Sequence, residues 1–170
     1  DSGSGDTQQF VFGVSIQNHS PYLSENGTYE SLVTAEGVSQ KDLDAMNFYA
    51  QGIADTDREI GRLLSYVDSR ERPTVLVFFG DHHPLLDGCN LLAGLNKNNI
   101  YDRIENITTE YFVYTNFEMR DSLPATRLSA FYLMSMVTEL TGLPQTAYTR
   151  FLNATRKEHP IYTMEYPILG

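Results

Sequence analysis

Pro73-Thr-Val-Leu-Val-Phe-Phe-Gly-Asp-His-His-Pro84 decides how this chain is read. Val75 to Phe79 is an unbroken apolar run, β-branched or aromatic at every position except Leu76. That length and bias fit a strand buried on both faces. Gly80 ends the run and delivers Asp81, His82 and His83 onto the loop at the strand's C-terminal end, the edge where open α/β sheets bind ligands. A carboxylate oxygen beside imidazole nitrogens suits a divalent cation, Mn²⁺ and Zn²⁺ alike. The plainer alternative is a polar turn whose histidines are merely hydrogen-bonded. Asp-His-His at the mouth of an apolar strand favours metal binding, because such loops collect metal and catalytic groups.

Upstream of this strand the pattern is helical. Ser39 is an N-cap candidate with Asp42 three positions on, an acidic capping box. The stripe Leu43, Met46, Ala50, Ile53, Ile60, Leu64, Val67 steps by three and four with one gap. Asp57 falls in that gap on the expected buried face, where a carboxylate needs hydrogen bonds or a cation, so it is an accessory candidate. The helix, 39–68, ends before Arg70-Glu-Arg-Pro73 and runs into the strand as in a βαβ unit. Before it, Phe10-Val-Phe-Gly-Val-Ser-Ile16 reads as another apolar strand, followed by the loop Gln17-Asn-His-Ser-Pro-Tyr22.

Downstream, Leu91 to Asn96 reads as a short helix and Glu110 to Thr115 as a third strand. Leu128 to Leu140 reads as an apolar helix stopped by Gly142 and Pro144. A shorter helix over 146–155 and an edge strand over 161–165 complete the pattern. The alternation predicts an α/β fold: a mainly parallel sheet flanked by helices, with strands 10–16 and 75–79 central.

The chain has 170 residues, a length for one domain with a real core. Residues 1–9 read as a flexible entry and 10–170 as the folded part. A formal charge of −10 argues against nucleic acid and against adhesion to anionic lipid headgroups. A cation could still bring a phosphorylated substrate to an acidic protein. The single cysteine, Cys89, excludes an intrachain disulfide framework. No run of residues has the length and hydropathy of a membrane span.

Three segments together resemble one family: Gly13-Val-Ser-Ile-Gln-Asn-His-Ser-Pro-Tyr22, Tyr49-Ala-Gln-Gly-Ile-Ala-Asp-Thr-Asp-Arg-Glu-Ile-Gly-Arg-Leu-Leu64 and Val77-Phe-Phe-Gly-Asp-His-His-Pro84. In that order they are similar to the C-terminal half of the extracellular domain of lipoteichoic acid synthases and related phosphoglycerol transferases, sulfatase-like members of the alkaline phosphatase superfamily. The resemblance implies a C-terminal half of a sulfatase-like catalytic domain over 10–170. It implies that Asp81 and His82 hold one Mn²⁺ or another divalent cation, and that His19 contacts a phosphoglycerol head group. It implies transfer of a glycerophosphate-type group from a lipid-linked donor through a phospho-threonine, in a bacterial membrane-anchored protein whose catalytic domain faces outward. The fragment itself is then soluble, and its partners are the substrate, the N-terminal half of the same protein and the membrane.

Two departures qualify the match. After Asp81-His82 the family has an aromatic residue and Gly; here His83-Pro84 stand, which leaves His83 as third ligand, outer-sphere group or substrate contact. The family's nucleophilic threonine and a further acidic ligand belong to a preceding half that Asp1 to Gln9 do not supply. The metal site in this chain is then incomplete and the fragment alone inactive.

Three rival readings remain. A sulfatase or phosphodiesterase of the same superfamily would share these motifs. DHH phosphoesterases also place Asp-His-His after a buried strand with Mn²⁺, but need upstream aspartate motifs, and the Asp-x-Asp at Asp55-Thr-Asp57 lies in a helix. A non-catalytic binding module would lack the nucleophile in the full-length protein.

Overall fold

In a computed structural model, the described residues are 8–22, 29–84, 86, 107–123 and 127–162. They form two compact units, one of residues 1–57 and 84–94, the other of 58–83 and 95–170. The helix expected over 39–68 is α1, Gln40–Asp68. Its first turn is closed as the capping pattern requires: the amide N–H of Asp42 donates to Ser39 Oγ at 3.2 Å, and that hydroxyl donates to Asp42 Oδ2 at 2.8 Å.

In the first unit the N-terminal half of α1 carries the loop segments that precede it. Asn47, 1% exposed, takes the place of a backbone partner for residues 32 and 33. Its Oδ1 accepts from both amide N–H groups, at 2.7 and 2.8 Å, and its Nδ2 donates to the Val33 carbonyl at 3.1 Å. The stretch Phe10–Ile16 forms neither helix nor ladder among the described residues, and Phe10, Phe12, Val14 and Ile16 are exposed.

In the second unit, β1 (Val75–Phe79) pairs antiparallel with β2 (Tyr111–Thr115). Val77 faces Val113, and Phe78 stacks on Phe112 with ring centroids 5.3 Å apart. Asn116 ties the end of α1 to the start of β1. Its Nδ2 lies 2.9 to 3.2 Å from the carbonyls of Val67, Arg70 and Arg72, and its Oδ1 accepts from the Thr74 amide at 2.8 Å. Leu133, Met136 and Leu140 pack on Tyr111, Val113, Met119, Leu123 and Leu128, so one face of β2 is covered by the helix that follows.

That helix begins later than its apolar run. Ala130–Tyr132 is a 3₁₀ turn, and α2 is Leu133–Thr141. It ends at Gly142, φ +73°, where the Arg120 side chain fills the place a Cβ would need. The last helix, α3, is Ala147–Glu158, capped by the Thr146 hydroxyl.

Among the described residues the sheet is one antiparallel pair, in which β1 is hydrogen-bonded to β2 alone, and no parallel pairing of the expected kind is seen there. The parallel component required strand 10–16 as a neighbour of β1, and that segment makes no ladder among the described residues. At the far end only Ile161 of the expected edge strand forms a bridge, with 163–165 outside the described residues. Cys89, the short helix at 91–96 and residues 1–7 also lie outside them.

Candidate active site

Gly80 fixes where the Asp-His-His loop leaves β1. Its N–H donates to the Glu110 carbonyl at 3.1 Å, and its carbonyl accepts from the Thr109 hydroxyl at 2.6 Å. A Cβ on Gly80 would meet the Thr109 Cβ at 3.0 Å, so the close approach calls for glycine. Beyond this clamp Asp81 Oδ1 accepts the N–H of His82 at 2.9 Å. Nδ1 of His82 faces the His83 carbonyl at 2.8 Å. A carbonyl only accepts, so in the neutral ring Nδ1 carries the proton and Nε2 the lone pair. That Nε2 lies 3.6 Å from Asp81 Oδ2, and both side chains are more than half exposed.

The pair therefore offers one oxygen and one nitrogen donor side by side. Two ligands each about 2.0–2.2 Å from one ion can span at most about 4.4 Å, so 3.6 Å is compatible with a shared cation. The backbone carbonyl on Nδ1 is the outer support that metal-ligating histidines usually have. His83 is half-buried, and its Nε2 is buried without a hydrogen bond. Among the described residues no three His, Cys, Asp or Glu side chains gather to hold an ion.

His19 belongs to the first unit, on a tight turn closed by its N–H donating to the Ile16 carbonyl at 2.9 Å. Its ring is exposed, and Nδ1 faces the Ser20 carbonyl at 2.6 Å, which again leaves the lone pair of the neutral ring on Nε2. The turn is fastened to α1. Gln17 Nε2 donates to Asp55 Oδ2 at 2.9 Å, Asn18 Nδ2 to Thr56 Oγ1 at 3.1 Å, and the Tyr22 hydroxyl to the Asn18 carbonyl at 2.7 Å. Tyr22 also meets Tyr49 edge-on at 5.7 Å, and burial raises the pKa of both phenols, which keeps the Tyr22 hydroxyl a donor.

The expected burial of Asp57 is corrected: it is exposed, because the stripe is a seam only in part, with Ile53 45% exposed while Val67 is buried. Thr56 and Thr74 are engaged locally, their hydroxyls donating to the carbonyls of Gly52 and Arg72 at 2.9 Å each.

Against this geometry the family comparison is decisive: the sulfatase family model matches residues 2–143. The chain belongs to the sulfatase family. Among solved sulfatase-like structures it resembles Streptococcus pyogenes phosphoglycerol transferase GacH, determined with sn-glycerol-1-phosphate, with a TM-score of 0.58 and 18% identity over 75% of this chain and 31% of that one. This likeness supports the sulfatase-like fold. A Rhizobium meliloti (strain 1021) protein named for cyclic beta-1,2-glucan modification is 31% identical over 88 residues, 52% of this chain and 14% of its own length. An uncharacterized Haemophilus influenzae protein is 31% identical over 83 residues, 48% of this chain and 15% of its own. The chain thus spans about one seventh of the curated relatives it matches.

The sequence pointed to Asp81, His82 and His19 but missed the support around them. Gly52, Thr56 and Thr109 act through contacts between segments distant in sequence, and the glycine inside a helix was the one available signal.

Proposed function

We propose that this chain is the C-terminal half, over 10–170, of the catalytic domain of a metal-dependent phosphoglycerol transferase. The enzyme moves a glycerophosphate-type group from a lipid donor to a polymer of the bacterial cell envelope. The reading is carried by the Asp81–His82 pair, Oδ2 and Nε2 3.6 Å apart on the loop after an apolar strand, in a sulfatase-family chain. A glycerophosphate ligand in GacH and a glycan in the name of the Rhizobium relative are consistent with that donor and acceptor chemistry.

Asp81 and His82 hold the cation, Mn²⁺ or another divalent ion, with further ligands from the remainder of the domain. When bound, it lowers the pKa of a hydroxyl nucleophile and offsets charge on phosphoryl oxygens. His19 accepts a hydrogen bond from a head-group hydroxyl at Nε2, and His83 lies beside the ion's ligands with an unsatisfied ring nitrogen to offer. The full-length protein is membrane-anchored with this domain facing outward; no described helix is itself long and apolar enough to cross a membrane.

The test is head-group transfer from labelled phosphatidylglycerol by the full-length protein. Asp81→Ala and His82→Ala should each abolish transfer and weaken Mn²⁺ binding in a calorimetric titration. Intact transfer by Asp81→Ala would refute the metal role. The family match also favours a second reading, hydrolysis of a sulfate ester at the same site, which turnover of an aryl sulfate without head-group transfer would select.

A further inference from the structure

A glycine inside a long helix costs about 1 kcal/mol relative to alanine, so its presence calls for a reason. Helix α1 contains two, and their surroundings differ. A Cβ at Gly61 would meet nothing within 4 Å, whereas at Gly52 the carboxamide oxygen of Asn18 already fills that place. One turn further along the same helix face, the Thr56 hydroxyl spends its hydrogen on the Gly52 carbonyl at 2.9 Å. Its oxygen is therefore an acceptor for Asn18 Nδ2 at 3.1 Å, which fixes the orientation of the amide. Asn18 Oδ1 is buried against the helix and accepts no hydrogen bond. A buried polar atom left unsatisfied destabilises the fold, and such exceptions need a cause beyond stability.

From these contacts we infer that Gly52 and Thr56 are positioning residues for His19. They form a cradle on α1 that seats Asn18 and so fixes the ring of the next residue toward the substrate head group. The inference rests on the role proposed above for His19. The cradle acts alongside the other ties of the turn, which include the Gln17–Asp55 hydrogen bond. The Ile16–His19 hydrogen bond closes the backbone, and Tyr22 holds the Asn18 carbonyl. The seat at Gly52 and Thr56 sets how deeply the Asn18 side chain sinks against α1, and with it the height of His19 above the helix. A methyl at position 52 lifts Asn18 by about the radius of that group while strengthening the helix, so lost function cannot be assigned to a weakened α1. A displacement near 1 Å in a positioning group costs up to about 10²-fold in rate.

The test uses the full-length protein and a double-mutant cycle on head-group transfer, with thermal melting alongside. Gly52→Ala should lower kcat/KM by on the order of 10–10²-fold without lowering the melting temperature; Thr56→Val should lower kcat/KM by a similar factor, and Thr56→Ser should keep it near wild type. His19→Ala should lose about 10²-fold, as for a positioning or acid–base group. On the His19→Ala background, Gly52→Ala should then cost nothing further, since it acts through the missing ring. Wild-type turnover by Gly52→Ala, or multiplied losses in the double variant, would overturn the positioning role and leave His19 in the site. Wild-type turnover by His19→Ala would instead remove His19 from the site, and the cradle's role with it.

Discussion

Asp44 shows how a single residue sets a pH window. The Tyr29 hydroxyl donates to its Oδ1 at 2.5 Å and Gln40 Nε2 donates to the same oxygen at 2.7 Å. Both bonds favour the ionised carboxylate, the tyrosine's more strongly, so the Asp44 pKa lies below its ordinary 3.8. The same bond, with burial adding to it, raises Tyr29 above its ordinary 10.0. A depressed carboxyl pKa stabilises the fold fully above 3.8, and this is lost as pH falls through the lower folded value. A raised phenol pKa stabilises fully below 10.0, and this is lost as pH rises toward the higher folded value. The stability difference between wild type and Tyr29→Phe should therefore be flat between those limits and shrink outside both. Urea midpoints measured across pH would show it, and a difference that grows on acidification would contradict the assignment. Other single residues were more or less legible beforehand. The position of Asp81 and His82 on a loop followed from the strand before them, because a chain leaving an apolar strand must emerge at the sheet edge. Asp57 did not, because a gap in a helical stripe does not say whether anything packs there.

Elements differ in how far their sequence determines them. Helix α1 and strands β1 and β2 fall where periodicity and residue bias place them, since each bound is set by local signals: a cap, a proline, an apolar run. The segment 10–16 has the same bias as β1 and yet makes no ladder among the described residues, because pairing depends on a distant partner that no local pattern encodes. Contacts between α2 and α3 are equally non-local. The Arg156 side chain is 8% exposed and donates to Glu139 Oε2 at 2.8 Å, while Lys157 reaches Oε1 of the same carboxylate at 2.6 Å. Removing the carboxylate leaves a buried guanidinium without its counter-charge, a larger loss than that of an exposed pair. Glu139→Ala should thus cost about 2–3 kcal/mol in urea unfolding. Lys157→Ala, whose side chain is 62% exposed, should cost well under about 1 kcal/mol. Equal costs for the two would mean that the buried arginine keeps another acceptor.

At the scale of the molecule, the segment preceding His19 has a consequence for the isolated chain. Phe10, Phe12, Val14 and Ile16 alternate along the sequence, which in a strand would put them on one face, and they are 74, 67, 70 and 77% exposed. Exposed apolar side chains on a run that makes no ladder among the described residues offer a template for another strand. Polar loops are exposed without penalty, whereas a strand-like run of this bias favours any partner that covers it. The 170-residue chain, which spans about one seventh of its curated relatives, should therefore self-associate through this run as concentration rises. Charges on the shared face work against both burial and stacking, so the double variant Phe12→Lys, Val14→Glu should remain monomeric at concentrations where the wild-type sequence does not. Sedimentation velocity distinguishes the two. The substitutions leave β1, β2 and their antiparallel register untouched, so a circular dichroism spectrum unchanged from wild type would accompany the monomeric state. Association equal in the two proteins would place the sticky surface elsewhere. In that case 10–16 would be extended backbone at ease in water, and the physical reason for reading it as a strand would be lost.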